Sequence, residues 1–383
     1  MNRKELACSM WFQKINLIGA RTMFHLKDCF GSMSGAYEGR ESKLREILSP
    51  KQYTAFKAAK YAIEPLAYLE QVEQKGIRYV SFDEEIFPEK LRSIPDPPYG
   101  LFVKGNLPDI GKPSVAIIGA RACSEYGKAV ARKFAAELAA YDVQIISGMA
   151  RGIDSISQEA CLKAGGHTFA ILGNGVDICY PGELRALYDD IVQNGGLIST
   201  YAPGMPPVSC NFPPRNRIIS GLADVLLVVE ARKKSGTLIT VDMALEQGRE
   251  VGIIPGRITD SLSQGCHELI KQGATIIVDV EQLLEMLKDT FRLQSFFQKD
   301  MYNGYKTEPH GIDIKCNPDL DESLKSILKI LSQDPSEPME PEKIFRIWQE
   351  QGNVGNFQTL MEGLMDLELM DLCKSNKNRF LIR

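Results

Sequence analysis

SVAIIGARACSEYG (114–127) decides how the rest of the chain reads. Ser114 to Ile118 carry no charge and no turn former, so the segment fits a strand buried on both faces rather than a half-exposed one. A glycine turn follows at once, and from about 127 to 140 apolar residues recur at helical spacing. The same alternation continues downstream. VQIIS (143–147), HTFAIL (167–172), LIST (197–200), DVLLVV (224–229), EVGII (250–254) and ATIIVD (274–279) predict further strands. Helices are predicted between them at about 154–164, 183–194, 214–222, 237–248 and 265–272. Wholly apolar strands spaced by helices give a doubly wound α/β domain, a parallel sheet covered on both faces. Ligands of such sheets bind beyond the carboxyl ends of the strands. The loops after the strands are therefore where chemistry is expected.

Outward from this domain the texture changes. Residues 1–75 follow a helical pattern with a Gly-rich interruption at 31–39, and 76–112 are irregular, broken by Pro88, Pro95, Pro97, Pro98 and Pro108. Residues 291–318 are polar and aperiodic and read as a linker, and a compact helical pattern returns from 319 to 383. A length of 383 residues fits two or three domains. With 44% hydrophobic and 25% charged residues the composition is that of a globular chain, not a collagen-like or disordered one. No run approaches a membrane span and the first residues lack a signal-peptide core, so a cytoplasmic location is expected. The nine cysteines are scattered, with no CxxC pair, which fits reduced thiols better than a disulfide framework. A net charge of −4 means that any binding to nucleic acid must come from a local basic patch.

The loops supply such a patch. After the first strand, GARACSEYG (119–127) places Arg121 where a dinucleotide site needs its second glycine, so a nicotinamide or flavin cofactor is disfavoured. Gly119, Arg121 and Ser124 instead read as a phosphate cradle, or as a plain turn with an exposed arginine. SGMARGID (147–154) repeats the pattern with Ser147, Gly148, Arg151 and Gly152, while Asp154 resembles a helix N-cap. NFPPRNRIISGLAD (211–224) puts Phe212, Arg215, Asn216 and Arg217 at a Pro-initiated helix start. Cations there oppose the helix dipole, which points to an anion at that place. Phe212 is either a base-stacking ring or a core plug. EARKKSGTLIT (230–240) adds Arg232, Lys233 and Lys234 before Ser235, Gly236 and Thr237 at another helix start. Seven cations (Arg121, Arg151, Arg215, Arg217, Arg232, Lys233 and Lys234) are thus expected along one edge.

Catalytic patterns do not accompany them. There is no P-loop G-x-x-x-x-G-K-[ST], no HExxH and no G-x-S-x-G elbow. The four histidines stand apart, and Asp177 and Glu230 read as turn caps. No catalytic residue, metal site or cofactor is expected.

Taken together, GARACS, SGMARGID, LGNGVDICYP (172–181), FPPRNRIISGLAD, EARKKSGTLIT, GREVGIIPG (248–256) and QGCHELIKQGA (264–274) resemble the DNA processing protein A family, also called Smf, over 80–290. The resemblance implies an extended Rossmann-like domain over 76–290 that binds single-stranded DNA, forms a homodimer and helps to load the RecA recombinase in natural transformation or recombination. It places Arg121, Phe212, Arg215 and Arg217 on the DNA face. Gln158, His267 and Glu183-Leu184 depart from the family pattern. INLIGARTMFHLKDCFGSM (15–33) resembles the small helical module, SAM-like or helix-hairpin-helix-like, that often precedes the domain. Residues 319–383 resemble its winged-helix tail. The third helix of that tail, NFQTLMEGLMD, holds Glu362 and Asp366 but no Lys or Arg, which suits a protein contact better than a groove. Only Lys374, Lys377 and Arg379 in the wing favour DNA. An alternative class stays open: KKSGTLITVDMALEQG (233–248) is similar to the Gly-Thr turn of lysine-decarboxylase-like nucleotide phosphoribohydrolases, although Val241 stands where their glutamate belongs.

Overall fold

The computed structural model describes residues 1–291, 322–331, 339–351, 356–369, 373–376 and 379–382. The strand β3 (Ser114–Ile118) shows why the fold forms. Val115 and Ile117 pack into one core layer, and Ala116 and Ile118 into the other. The neighbouring β7 (Val225–Val228) divides in the same way, with Val225 and Leu227 on one face and Leu226 and Val228 on the other. Period-two alternation of uniformly apolar residues needs cover on both sides of the sheet. Helices α8 (Glu125–Ala140), α9 (Ile153–Lys163) and α14 (Val280–Phe291) supply it on one face. α11 (Phe212–Leu222), α12 (Gly236–Glu246) and α13 (Gln264–Lys271) supply it on the other.

All seven predicted strands are present: β3, β4 (Gln144–Ser147), β5 (Thr168–Leu172), β6 (Gly195–Ser199), β7, β8 (Glu250–Ile253) and β9 (Thr275–Ile276). Two further strands, β1 (Arg78–Ser81) and β2 (Gly100–Gly105), lie in the segment expected to be irregular. They add an antiparallel edge, giving the order β1-β2-β6-β5-β4-β3-β7-β8-β9 in a sheet that is otherwise parallel. From β3 the chain winds outward through β4, β5 and β6, then crosses over to β7, β8 and β9. The winding direction reverses between β3 and β7. A crevice opens at such a reversal, because the loops leaving the two strands diverge.

Six helices precede the sheet: α1 (Arg3–Lys14), α2 (Ala20–Phe30), α3 (Met33–Tyr37), α4 (Glu41–Ile47), α5 (Pro50–Ala62) and α6 (Pro65–Gln74). Trp11, Phe12 and Phe56 form an aromatic centre with ring centroids 5.2–5.6 Å apart, and Trp11 Nε1 donates to the Ile63 carbonyl. This core runs on without a break into Tyr79, Phe102, Leu172 and Leu197 of the sheet. The helices and the sheet belong to one compact unit.

A second compact unit contains the helices Glu322–Leu331, Pro341–Glu350 and Phe357–Leu369 and a hairpin of Cys373–Asn376 with Arg379–Ile382. Ile327, Leu328, Ile344, Trp348, Leu360 and Leu364 fill its core, and Met339 bridges to Phe380. The expected linker, apart from its first residue, lies outside the described residues, as does Lys377.

Candidate functional site

A crevice of about 520 Å³ opens at the β3/β7 reversal. Gly119 and Arg121 come to it from the turn after β3, and Phe212, Arg215 and Asn216 from α11. Arg232, Lys234, Ser235, Gly236 and Thr237 come from the loop after β7 and the start of α12. Ser235 caps α12, accepting from Thr237 N at 3.2 Å, and Thr237 Oγ1 donates to the Gly119 carbonyl at 3.3 Å. This ties the two loops together and aims the helix start at the crevice. Arg121, Arg232, Lys233 and Lys234 are exposed and make no ion pair among the described residues. Four unneutralised cations around a helix N-terminus form an anion-attracting rim.

Phe212 is half-buried rather than plugged into the core. Its Cδ1 would lie 2.7 Å from a Cβ at Gly173, so the ring rests directly on backbone that only glycine leaves open. The guanidinium carbons of Arg121 and Arg215 each lie 5.8 Å from its centroid. Arg121 is solvent-exposed and Arg215 is 5% exposed, so one free cation and one buried cation lie near the ring.

Three expectations for the edge need correction. Arg215 does not reach out to solvent. Its Nη1 donates to the carbonyls of Gly148, at 2.8 Å, and of Ile171, and burial pulls its pKa down to about 10 despite Asp154 nearby. Arg217 has an 18% exposed side chain and pairs with Asp96 at 3.2 Å. The anion that Arg217 calls for is thus a carboxylate of the protein itself, and Arg215 is held by backbone carbonyls with the Asp154 charge nearby. Arg151 is exposed but engaged by Glu183. Of the seven expected cations, four remain unpaired among the described residues.

The serine cradle is also largely filled from within. Ser124 Oγ donates to Glu230, its backbone N–H donates to the same carboxylate at 2.9 Å, and the hydroxyl accepts from Gly127 N. Ser147 is fully buried and donates to the Ile117 carbonyl at 2.7 Å. Gly148 N donates to Asp154 at 3.2 Å, and Gly152, not Asp154, is the N-cap of α9. Asp154 lies in the first turn, where burial pushes its pKa up to about 6 against the pull of Arg215 and two backbone amides. Asp177 and Glu230 do serve backbone groups: Asp177 accepts from Gly204 N and pairs with Lys75.

Residues 78–288, more than half of the chain, match the sequence model of the family described as DNA recombination-mediator protein A. The chain belongs to that family. Protein Smf of Escherichia coli is 43% identical over 218 residues, which are 57% of this chain and 58% of the relative, so the match spans little more than half of that protein. Protein Smf of Synechocystis is 31% identical over 358 residues, 88% of this chain and 90% of the relative. The crystal structure of DNA processing protein A from Streptococcus pneumoniae superposes with a TM-score of 0.64 at 34% identity, covering 72% of this chain and 95% of that one. A Helicobacter pylori structure, described in terms of its single-stranded DNA binding mode, matches with a TM-score of 0.50 at 30% identity, over 56% of this chain and 97% of that one.

The departures from the family pattern have local explanations. Gln158 is buried and joins Met149 N to Thr168 Oγ1 and the Phe169 carbonyl. His267 contacts the Gly256 carbonyl through Nε2 at 3.0 Å. Glu183 is the partner of Arg151. The loop reading takes Asp154, which lines the crevice, for a helix cap, and passes over Asp96, the partner of Arg217, and Tyr180, which touches Phe212. The spacing Arg215, Ile218, Ile219, Leu222 already puts Arg215 on the apolar stripe of α11. A buried arginine implies a nearby carboxylate, and that was the signal for Asp154.

Proposed function

We propose that this protein binds single-stranded DNA without a nucleotide cofactor, along the crevice at the carboxyl edge of its sheet. The observation that carries this reading is Arg121 poised over the half-buried Phe212 ring, beside a helix start rimmed by Arg232, Lys233 and Lys234. Phosphates would meet the cations and the α12 amides, and a base would stack on the ring, a combination that is tolerant of sequence. Arg215 and Arg217 act from behind, holding α11 in place. The relatives support the reading: the pneumococcal one is a DNA processing protein and the Helicobacter one binds single-stranded DNA.

In this reading the protein is a binding rather than a catalytic component, cytoplasmic and homodimeric, that helps to load RecA on single strands during transformation or recombination. The helices at 1–75 serve as its SAM-like or helix-hairpin-helix-like module. The C-terminal unit is a winged-helix element for protein contact, so deletion from residue 319 should leave single-strand affinity within about twofold. The phosphoribohydrolase alternative is not favoured, because Val241 is fully buried in α12 where that class carries its acid.

Fluorescence anisotropy with single- and double-stranded oligonucleotides over a range of salt tests the proposal. Four released counterions predict a slope of about −3 in log affinity against log salt for single strands. Equal affinity for duplex, a need for ATP, or release of base from AMP or IMP would overturn it.

A further inference from the structure

The loop leaving β5 carries a second aromatic residue to the Phe212 ring. The Tyr180 ring centroid lies 5.8 Å from that of Phe212, with the planes tilted by 31°. Tyr180 is 42% exposed, whereas Tyr99 and Tyr188 are each 1% exposed in the core. Its hydroxyl makes no hydrogen bond among the described residues. A tyrosine that buries neither its ring fully nor its hydroxyl contributes little to packing, and its placement invites another account. The spacing is that of two rings already touching, so no base fits between them. Arg151 and Glu183, an exposed pair, stand alongside, with Arg151 within electrostatic reach of Tyr180.

We propose that Tyr180 is a second stacking platform that takes the unpaired base next to the one on Phe212. The inference rests on the single-stranded DNA reading and gives the bound strand a direction: from the α12 start, across Phe212, toward the loop after β5. Successive bases on successive rings is how sequence-tolerant single-strand sites gain affinity. Arg151, released from Glu183, is then placed to meet the following phosphate.

The test uses the full-length protein with oligothymidylate and the variants Tyr180→Ala, Tyr180→Phe, Tyr180→Trp and Arg121→Glu. Affinity is measured across salt, with the melting temperature of each variant as a control. Tyr180→Ala should weaken binding about tenfold with an unchanged salt slope, because a stacking contact is lost and no counterion release. Tyr180→Phe should bind like the parent, and Tyr180→Trp should show indole fluorescence quenched on binding. If Tyr180→Ala binds at parental affinity while Arg121→Glu does not, the second platform is wrong and the DNA reading stands. If Arg121→Glu also binds at parental affinity, the reading beneath it fails. A Tyr180→Phe loss as large as the Ala loss would assign the effect to the hydroxyl and overturn stacking.

Discussion

Asp96 accepts the Nε–H of Arg217 at 3.2 Å, and its other carboxylate oxygen lies 3.3 Å from Nε of Arg21 at the start of α2. One acid therefore quenches two guanidiniums, and the second comes from the N-terminal helices. Arg217 also keeps a buried Nη1 with no partner, and burial lowers its pKa in spite of Asp96. Asp96→Asn should leave both cations in place and unneutralised. Single-strand affinity should rise, and the salt slope should steepen by about 0.7 for each cation that reaches a phosphate. A slope identical to the parent's would show that neither arginine lies on the strand's path.

Charge reversal separates the exposed arginine from the buried ones. Arg121→Glu puts a carboxylate where a phosphate must sit, without breaking any ion pair among the described residues. Binding should fall below detection while the melting temperature stays within a few degrees. Arg217→Glu would instead set two carboxylates side by side, and should cost both stability and binding. Comparable losses of stability in the two variants would contradict the exposure assigned to Arg121.

Phe212→Ala should weaken single-strand binding by about 1–3 kcal/mol, the worth of one base stack, with the salt slope retained. Because the ring also covers Gly173 and Arg215, some thermal stability should be lost too. A large fall in melting temperature with no change in affinity would return Phe212 to the role of a core plug.

Asp154 predicts a pH dependence of a definite sign. Its folded pKa, about 6, lies above the ordinary value, so the folded state holds a proton that the unfolded chain has already released. Stability contributed by this group is present below about pH 4 and is lost as pH rises to about 6. Protonation also removes a negative charge near Arg215, Arg121 and the crevice, so single-strand affinity should increase as pH falls through 6. Asp154→Asn should flatten both profiles around pH 6. Calorimetry in buffers of different ionisation enthalpy would detect proton uptake on binding near pH 6.5; its absence would refute the coupling.

The sheet could be read from residue pattern because each central strand is apolar on both faces, as in Ser114–Ile118 and Val225–Val228. β1 and β2 escaped because RYVS and GLFVKG flank a proline-rich segment and owe their state to pairing, β1 with β2 and β2 with β6 nearly a hundred residues on. In the site, Arg121 and the Arg232–Lys234 run read correctly as exposed cations because they precede helices instead of belonging to an apolar stripe. Arg217 could not be judged from its own neighbourhood. Its partner Asp96 is 121 residues away in the chain, joined only by the way α11 packs beside the loop before β2.

Glu230 makes two helix starts at the sheet edge unequal. The helix starts that follow β3 and β7, α8 and α12, are alike in glycine and serine content, yet α8 is occupied by a side chain of its own protein. The carboxylate lies so close to Gly127 that any side chain there would collide with it. Glu230 thus behaves as a tethered ligand, always present and never exchanged. The α8 start is thus closed to other anions, whereas no carboxylate among the described residues hydrogen-bonds the α12 start, so a polyanion would meet two unlike helix ends at this edge. Polarity along the edge is built into the folded chain itself.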